Sequence, residues 1–168
     1  MQPIRDHLQE NLDVLFVGFN PSLMSGETGH HFANPTNRFW KILFQAGLTP
    51  CQLQPHDDYK LLEYGYGLTN IVERPTKAAQ DITMEEYEVG RAELKRKIKH
   101  YQPKVVCYVG KGVYQQYSKR KQVAWGVQQE PIIQNIQDFV APSSSGLVRM
   151  PMEEIVKIYS ELTNLIKK

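Results

Sequence analysis

Two runs of consecutive apolar residues stand out along the chain, at residues 14–17 and 105–109. Neither run alternates with polar residues, which is typical of strands buried on both faces inside a parallel sheet. A shorter stretch at residues 68–71 predicts a brief further strand, and residues 131–142 supply one or two more. The pattern therefore predicts a mostly parallel central sheet of about four to five strands.

Segments with apolar residues at helical spacing alternate with these strands. Thr83 and Glu86 form a capping box before a long helix, and the last helix has apolar residues at positions 155, 158, 159, 162, 165 and 166. Strands that alternate with helices predict an α/β fold, a three-layer sandwich with helices on both faces of the sheet. Because no internal repeat or linker interrupts the pattern, residues 1–168 are expected to form a single domain.

The segments around the first strand are less regular. Residues 1–12 predict a short polar helix or arm, and residues 23–33, which contain two glycines, predict a mobile loop. Asn34 as N-cap and Gly47 as a stop predict a helix between them, with Phe44 on its buried face.

Composition and charge are those of an ordinary globular protein. Of the 168 residues, 41% are hydrophobic and 23% are charged, and the net charge of +2 is too small to indicate a nucleic-acid-binding protein by itself. No signal peptide or membrane span is recognisable, so we expect a cytoplasmic location, associated with the nucleoid if the source is bacterial. The two cysteines cannot form a disulfide framework and are expected to be structural thiols.

Candidate chemistry lies in three loops that follow predicted strands, at residues 18–22, 110–112 and 143–149. The carboxyl ends of parallel strands meet at one edge, where α/β folds bind ligands, so one crevice is expected to hold Asn20, Lys111 and the serine run. The Gly-Lys-Gly turn at residues 110–112 could cradle a phosphate but lacks the spacing of a Walker loop. An Asn-Pro turn after a strand is, by itself, most often only a turn.

Metal-ligand residue types occur in two clusters, at residues 30–31 (His-His) and 56–58 (His-Asp-Asp). Adjacent histidines point apart in a strand, and neither a helical His-x-x-x-His pair nor a third cluster is present, so we expect no catalytic metal. The serines at residues 143–145 lack a recognisable histidine and acid partner for nucleophilic catalysis.

Motifs spread over nearly the whole chain carry a resemblance to a known family. They are Gly-Phe-Asn-Pro at 18–21, Phe-Ala-Asn-Pro-Thr-Asn-Arg-Phe-Trp at 32–40, Thr-Asn-Ile-Val-Glu-Arg-Pro at 69–75, Tyr-Gln-Pro at 101–103, Gly-Lys at 110–111 and Pro-Ser-Ser-Ser-Gly-Leu-Val-Arg at 142–149. In these motifs the chain resembles the mismatch-specific uracil-DNA glycosylases, the branch of the uracil-DNA glycosylase superfamily that also contains thymine-DNA glycosylase.

The resemblance implies a role for each matching residue. Asn20 corresponds to the catalytic asparagine that orients the attacking water, and Phe32 to the aromatic residue that stacks on the flipped base. The remaining residues of the implied base pocket are Gly18, Phe19, Pro21, Ser25 and Asn70. The implied DNA wedge and backbone contacts are Lys111, Ser143, Ser144, Ser145, Gly146, Leu147, Val148 and Arg149, with Leu147 as the apolar tip.

The implied function is that of a monofunctional DNA glycosylase, which hydrolyses the N-glycosidic bond of uracil opposite guanine in duplex DNA and leaves an abasic site. Related damaged pyrimidines and thymine are further candidate substrates, and no cofactor, metal or membrane is implied. An amide cannot take a proton from water, so Asn20 can only position the nucleophile and the enzyme is expected to be slow. No lysine stands at that position, so no Schiff base and no strand break are expected.

Several positions depart from the bacterial members of the family. Phe19 replaces an isoleucine, and Asn70 and the serines after Pro142 are more similar to thymine-DNA glycosylase. A hydroxyl of Ser25 near the pyrimidine C5 would favour uracil over thymine. Three alternatives stay open: a broad deaminated-base glycosylase that also acts on single strands, a non-catalytic mismatch or abasic-site binding module, and a small nucleotide-binding protein that uses the Gly-Lys-Gly turn.

Overall fold

The computed structural model describes residues 3–167, and its strands form one central sheet. The strands are β1 (Val14–Gly18), β2 (Tyr66–Asn70), β3 (Val105–Val109), β4 (Gly126–Val127) and β5 (Gln137–Ala141). Their spatial order is β2-β1-β3-β5-β4, and all neighbours pair in parallel except β4 with β5. The mostly parallel sheet is therefore confirmed, although the short β4 lies outside the segments predicted as strands.

Helices connect these strands in the alternating order that the pattern predicts. They are α1 (Leu23–Thr28), α2 (Phe39–Gln45), α3 (Met84–Tyr101), α4 (Lys111–Ser118) and α5 (Met152–Leu165), with 3₁₀ helices at Pro55–Tyr64 and Ala79–Asp81. The capping box of α3 is formed as predicted, because Thr83 Oγ1 accepts from the Glu86 N–H at 3.2 Å and Glu86 Oε1 accepts from the Thr83 N–H at 3.0 Å. Within residues 3–167, none of the helices has the length and apolar character needed to cross a membrane.

Strand β1 is buried on both faces, which is why its sequence is an unbroken apolar run. Val14 and Phe16 pack in the cluster that contains the buried residues of α2 and α5. Leu15 and Val17 pack in the opposite cluster, which contains the buried residues of α3 and α4. Helices thus cover both faces of the sheet, and the predicted three-layer α/β sandwich is confirmed.

The segment between β1 and α2 differs from the prediction. Residues 23–28 form a short helix rather than a mobile loop, since Ser22 Oγ accepts from the Ser25 N–H at 3.1 Å and caps the first turn. The helix ends at Gly29, whose φ of 79° lies in the left-handed region that glycine adopts without strain. The chain after the carboxyl end of β1 therefore has regular structure.

Helix α2 starts later than its predicted N-cap. The Asn34 side chain closes a local turn by accepting from the Thr36 N–H at 3.0 Å, whereas Asn37 Oδ1 accepts from the Phe39 N–H at 3.0 Å at the start of α2. The prediction for Phe44 is also wrong, because this side chain is 42% exposed. With the helix shortened to 39–45, the residues before it are free to form a loop.

The N-terminal arm, defined as residues 3–8, is extended rather than helical. His7 and Leu68 exchange two backbone hydrogen bonds of 2.9 Å, so the arm runs antiparallel to β2. The Asp6 carboxylate also accepts from Thr69 Oγ1 at 2.8 Å. The arm therefore covers the outer edge of β2, which would otherwise present unpaired backbone groups.

Candidate active site

One cavity of about 360 Å³ opens at the carboxyl ends of β1, β3 and β5. Its walls come from the loops after β1, β2 and β5 and from the segment before α2. The predicted site residues that line it are Gly18, Phe19, Asn20, Pro21, Ser25, Phe32, Asn70, Ser143, Ser144, Ser145 and Leu147. The parallel sheet thus brings together residues that are up to 129 positions apart in the sequence, from Gly18 to Leu147.

The side chain of Asn20 is held in one orientation. Its Nδ2 donates to the Arg74 carbonyl at 2.7 Å and to Thr76 Oγ1 at 2.8 Å. The carbonyl can only accept, and Thr76 Oγ1 uses its own proton to donate to the Ala78 carbonyl at 2.7 Å. Both partners therefore require the nitrogen of the amide, and Asn20 Oδ1 is left as an acceptor at the cavity.

Phe32 presents an aromatic surface to the cavity. One face of its ring stacks on Phe39, with centroids 3.9 Å apart and planes at 16°. Phe39 is fully buried and holds the Phe32 ring from behind. The backbone of Phe32 has a φ of 50°, which is uncommon for a residue with a side chain and occurs often at functional positions.

Gly18 allows Asn70 to approach the backbone of β1. A Cβ atom at Gly18 would lie 2.7 Å from Asn70 Oδ1 and 3.7 Å from Phe32 Cζ. The Asn70 side chain therefore reaches into the space that any larger residue at position 18 would fill. Phe19 turns towards the other side of β1, where its ring centroid lies 6.5 Å from that of Tyr87.

Ser25 and Pro21 shape the wall beside Asn20. Ser25 is 1% exposed, and its Oγ accepts from the Ala33 N–H at 3.1 Å, which ties α1 to the residue after Phe32. The carbonyl of Pro21 accepts from the Thr76 N–H at 3.2 Å. The Ser25 hydroxyl thus has a structural partner in addition to its place in the cavity wall.

The serine loop, residues 143–149, is anchored from the segment before α2. The Arg38 N–H donates to the Ser144 carbonyl at 2.9 Å, and the Arg38 guanidinium donates to the Ser145 and Val148 carbonyls at 2.9 and 3.3 Å. In the sequence, Arg38 stands out only as part of the motif at residues 32–40. Its function in holding the loop depends on backbone carbonyls, which carry no sequence signal.

Residues 146–149 differ in their surroundings. Leu147 is 92% exposed, whereas Val148 packs against the core cluster of α2 and α5. Gly146 lies close to the Thr36 carbonyl oxygen, 2.7 Å from where its Cβ would be. Arg149 is exposed and does not line the cavity. Leu147 is therefore an apolar tip on a loop that is fixed at both sides.

Lys111 does not share the cavity with Asn20, so this part of the prediction is wrong. Its ammonium nitrogen lies 4.2 Å from the centroid of the Trp125 ring. The neighbouring Gly112 packs under Phe19, whose Cζ would lie 2.5 Å from a Cβ at that position. Gly112 therefore allows close packing against Phe19, and Gly110 adopts a φ of 115°, so each glycine has a structural role that does not require a phosphate.

A buried polar cluster adjoins the cavity at His31, and the sequence did not predict that its members come together. His31 is 2% exposed, its Nε2 donates to the Arg5 carbonyl at 2.8 Å, and burial lowers its pKa so that the ring is neutral near pH 7. Burial would raise the pKa of Asp58, but contacts with His7 and with the His31 N–H outweigh it and lower the pKa to about 2. The cluster thus contains a neutral imidazole and an ionised carboxylate.

Comparison with known proteins agrees with this architecture. A solution NMR structure described as a candidate uracil DNA glycosylase from Methanosarcina acetivorans superposes with a TM-score of 0.61 at 20% sequence identity, covering 96% of this chain and 98% of that one. At this identity the likeness shows the fold. Residues 5–164, nearly the whole chain, match the uracil DNA glycosylase superfamily. The chain therefore belongs to the uracil DNA glycosylase superfamily.

Proposed function

We propose that this protein is a monofunctional DNA glycosylase that removes uracil opposite guanine from duplex DNA and leaves an abasic site. Membership of the superfamily supports the coarser activity, hydrolysis of an N-glycosidic bond in DNA. The observation that carries the proposed hydrolysis is the orientation of Asn20, whose amide nitrogen is bonded twice, so that its oxygen remains as an acceptor on a side chain that lines the cavity.

Catalysis begins with the flipping of the target nucleotide, because the N-glycosidic bond of a stacked base cannot be reached. Flipping costs a few kcal/mol and is least costly for a mismatched pair, which favours uracil opposite guanine. The free face of Phe32 stacks on the flipped base, an interaction worth about 1 to 3 kcal/mol. Asn70 lies beside the same space and offers an amide for hydrogen bonds to the base edge.

Asn20 Oδ1 then accepts a hydrogen bond from a water molecule and holds it near C1′ of the sugar. Since an amide does not act as a general base, the water attacks late, after the bond to the base has largely broken and the sugar has oxocarbenium character. The oxygen of the water bonds to C1′, and its proton passes to solvent or to the departed base anion. Backbone N–H groups in the loop after β1 stabilise the departing base anion. Hydrolysis without a general base predicts slow turnover, with a rate that increases as the departing base becomes a better leaving group.

Leu147 enters the duplex and occupies the space that the flipped nucleotide left. Apolar side chains inserted between base steps are a common device of proteins that kink DNA. The anchoring of the loop by Arg38 supports this role, because a wedge must resist displacement by the stacked bases. Arg149 contacts the unpaired guanine or a phosphate from the exposed end of the loop.

The test uses end-labelled duplexes with one G·U, A·U, G·T or G·C pair, incubated with excess protein in EDTA and then treated with alkali. We expect alkali-dependent cleavage of G·U well above that of A·U. Asn20→Ala should lower the single-turnover rate by about a hundredfold or more, the cost of losing an oriented polar group at a reaction centre. Asn164→Ala, the same change on the exposed surface of α5, serves as the matched control.

Two results would contradict the proposal. Tight binding to G·U without any cleavage would identify a mismatch-binding module. Equal cleavage of uracil in single strands and in both duplexes would identify a broad deaminated-base glycosylase.

A further inference from the structure

His7, His31 and Asp58 converge from three separate segments at the wall of the cavity, which His31 lines. His7 belongs to the N-terminal arm, His31 precedes Phe32, and Asp58 lies in the 3₁₀ helix at Pro55–Tyr64. Asp58 and His31 are each 2% exposed, and the His7 side chain is 13% exposed. Of the three, only His31 lines the cavity, and the cluster has no part in the proposed hydrolysis.

The donor atoms have the spacing of a metal site. One ring nitrogen of each histidine and one Asp58 oxygen lie within 4.8 Å of one another. His7 Nε2 and Asp58 Oδ1 are 3.3 Å apart. Two ligands at a tetrahedral angle, each about 2.0 to 2.1 Å from a zinc ion, are separated by about 3.3 Å.

Hydrogen bonds around these donors determine which of their atoms are available to a metal. His31 Nε2 donates to the Arg5 carbonyl at 2.8 Å, so the lone pair of this neutral ring is on Nδ1. Asp58 Oδ2 accepts from the His31 N–H at 2.9 Å, and Oδ1 faces His7 Nε2 and His30 Nδ1, each at 3.3 Å. Metal-binding histidines usually donate their other ring N–H to a carbonyl or carboxylate, and metal-binding carboxylates are themselves hydrogen-bonded.

The charge of the cluster is compatible with a bound cation. A buried carboxylate is costly unless a positive charge or several hydrogen bonds compensate it. Within residues 3–167, the ion pairs of Asp58 are with His7 and His30, and no lysine or arginine is among them. A dication would add to the compensation that His7 and the His31 N–H already give this carboxylate.

We propose that His7, His31 and Asp58 form a structural site for one divalent transition-metal ion of the zinc class, which fastens the N-terminal arm to the wall of the cavity. Water or His30, whose Nδ1 lies 3.3 Å from Asp58 Oδ1, completes the coordination. The sequence could not reveal this site, because His7 is a lone histidine 24 positions before His31. The fold supplies the missing third ligand by pairing the arm with β2.

The experiment uses the full chain, stripped with a chelator and dialysed into metal-free buffer, with Zn²⁺ as the probe. Isothermal titration should give one equivalent per chain, and Co²⁺ should give the visible absorption of a low-coordinate nitrogen and oxygen site. Zinc at about 100 times its Kd should raise the Tm by about 5 to 10 °C. His7→Ala should weaken binding by more than about a hundredfold, beyond the effect expected from a second-shell change.

His56→Ala is the matched control, because the His56 side chain is 71% exposed and is not a member of the cluster. His7→Gln provides a second variant that keeps a polar side chain in case His7→Ala does not fold. Substoichiometric binding, an unchanged Tm, or equal losses in the His7 and His56 variants would overturn the proposal. Uracil release is measured separately, both in EDTA and with added Zn²⁺, so a failure of this site and a failure of the glycosylase proposal are distinguishable.

Discussion

Replacing Thr76 with valine removes one hydroxyl that orients Asn20 and hardly changes the shape of the side chain. Thr76 is 6% exposed, and its Oγ1 accepts from Asn20 Nδ2 at 2.8 Å while it donates to the Ala78 carbonyl at 2.7 Å. In Thr76→Val the amide keeps only its bond to the Arg74 carbonyl, and the side chain can rotate about it. The variant therefore tests whether the orientation of Asn20, and not merely its presence, supports catalysis.

The expected effect follows from the lost hydrogen bonds. Each contributes about 1 kcal/mol to stability, so Thr76→Val should lower the free energy of unfolding by about 2 kcal/mol. Loss of the oriented acceptor in the transition state should cost roughly 1.4 to 2.7 kcal/mol, which corresponds to a 10- to 100-fold lower rate. Thr76→Ser retains the hydroxyl and should recover most of this rate.

The assay is single-turnover release of uracil from a G·U duplex, with binding affinity and thermal unfolding measured in parallel. Thr69→Val is the matched control, since Thr69 is 2% exposed and donates to Asp6 outside the cavity. We expect the control to lose stability without a comparable loss of rate. A folded Thr76→Val variant with the wild-type rate, or an equal loss in Thr69→Val, would falsify the positioning role.

Three further predictions concern the wedge, the packing of α3 and the dependence of stability on pH. Leu147→Ala should weaken binding to an abasic duplex by about tenfold or more, since burial of a leucine is worth about 1.5 to 3 kcal/mol. It should leave the free energy of unfolding within about 0.5 kcal/mol of the wild-type value. Equal affinities of the two proteins in fluorescence anisotropy would refute the wedge. Gly90→Ala should destabilise the protein by about 3 kcal/mol, because the new Cβ would lie 1.9 Å from the Ile71 carbonyl oxygen. This loss is expected despite the better helix propensity of alanine. An unchanged midpoint in denaturant titration would contradict this packing. Hydrogen bonds, first from Arg74 and then from the Thr83 N–H, lower the pKa of Glu86 to about 2, so its contribution is present above the unfolded pKa and is lost as pH falls through 2. The Glu86 side chain is 24% exposed and partly screened, so the free energy of unfolding of the wild type should exceed that of Glu86→Gln by about 1 kcal/mol at pH 7. Melting curves that show the same difference near pH 2 would argue against the ion pair.

Most of the fold could be read from local patterns. The unbroken apolar runs of β1 and β3 reflect burial on both faces, and the capping box at Thr83 marks the start of α3 because its hydrogen bonds span only three residues. The position of Asn20 at the end of β1 follows from the same logic, since a parallel strand carries its ligand-binding residues at its carboxyl end. These features depend on neighbours in the sequence, so the sequence determines them.

The site itself required the tertiary structure. The partners that orient Asn20 are 54 and 56 positions away, and one of them is a backbone carbonyl that any residue could supply. Lys111, which the pattern predicts in the crevice, lies over Trp125 because α4 turns its side chain away from the cavity. Helix α2 begins at Phe39 because the residues before it are used to hold the serine loop through Arg38.

The sequence by itself thus determined the order of strands and helices, the edge of the sheet where ligands bind, and the residue types that gather there. Only the tertiary structure decided how the Asn20 amide is oriented, which face of Phe32 remains free, and which histidine meets Asp58. The physical reason is the range of the interactions. Periodicity and capping act over a few residues, whereas hydrogen bonds to distant backbone groups and contacts between separate segments arise only when the chain has folded.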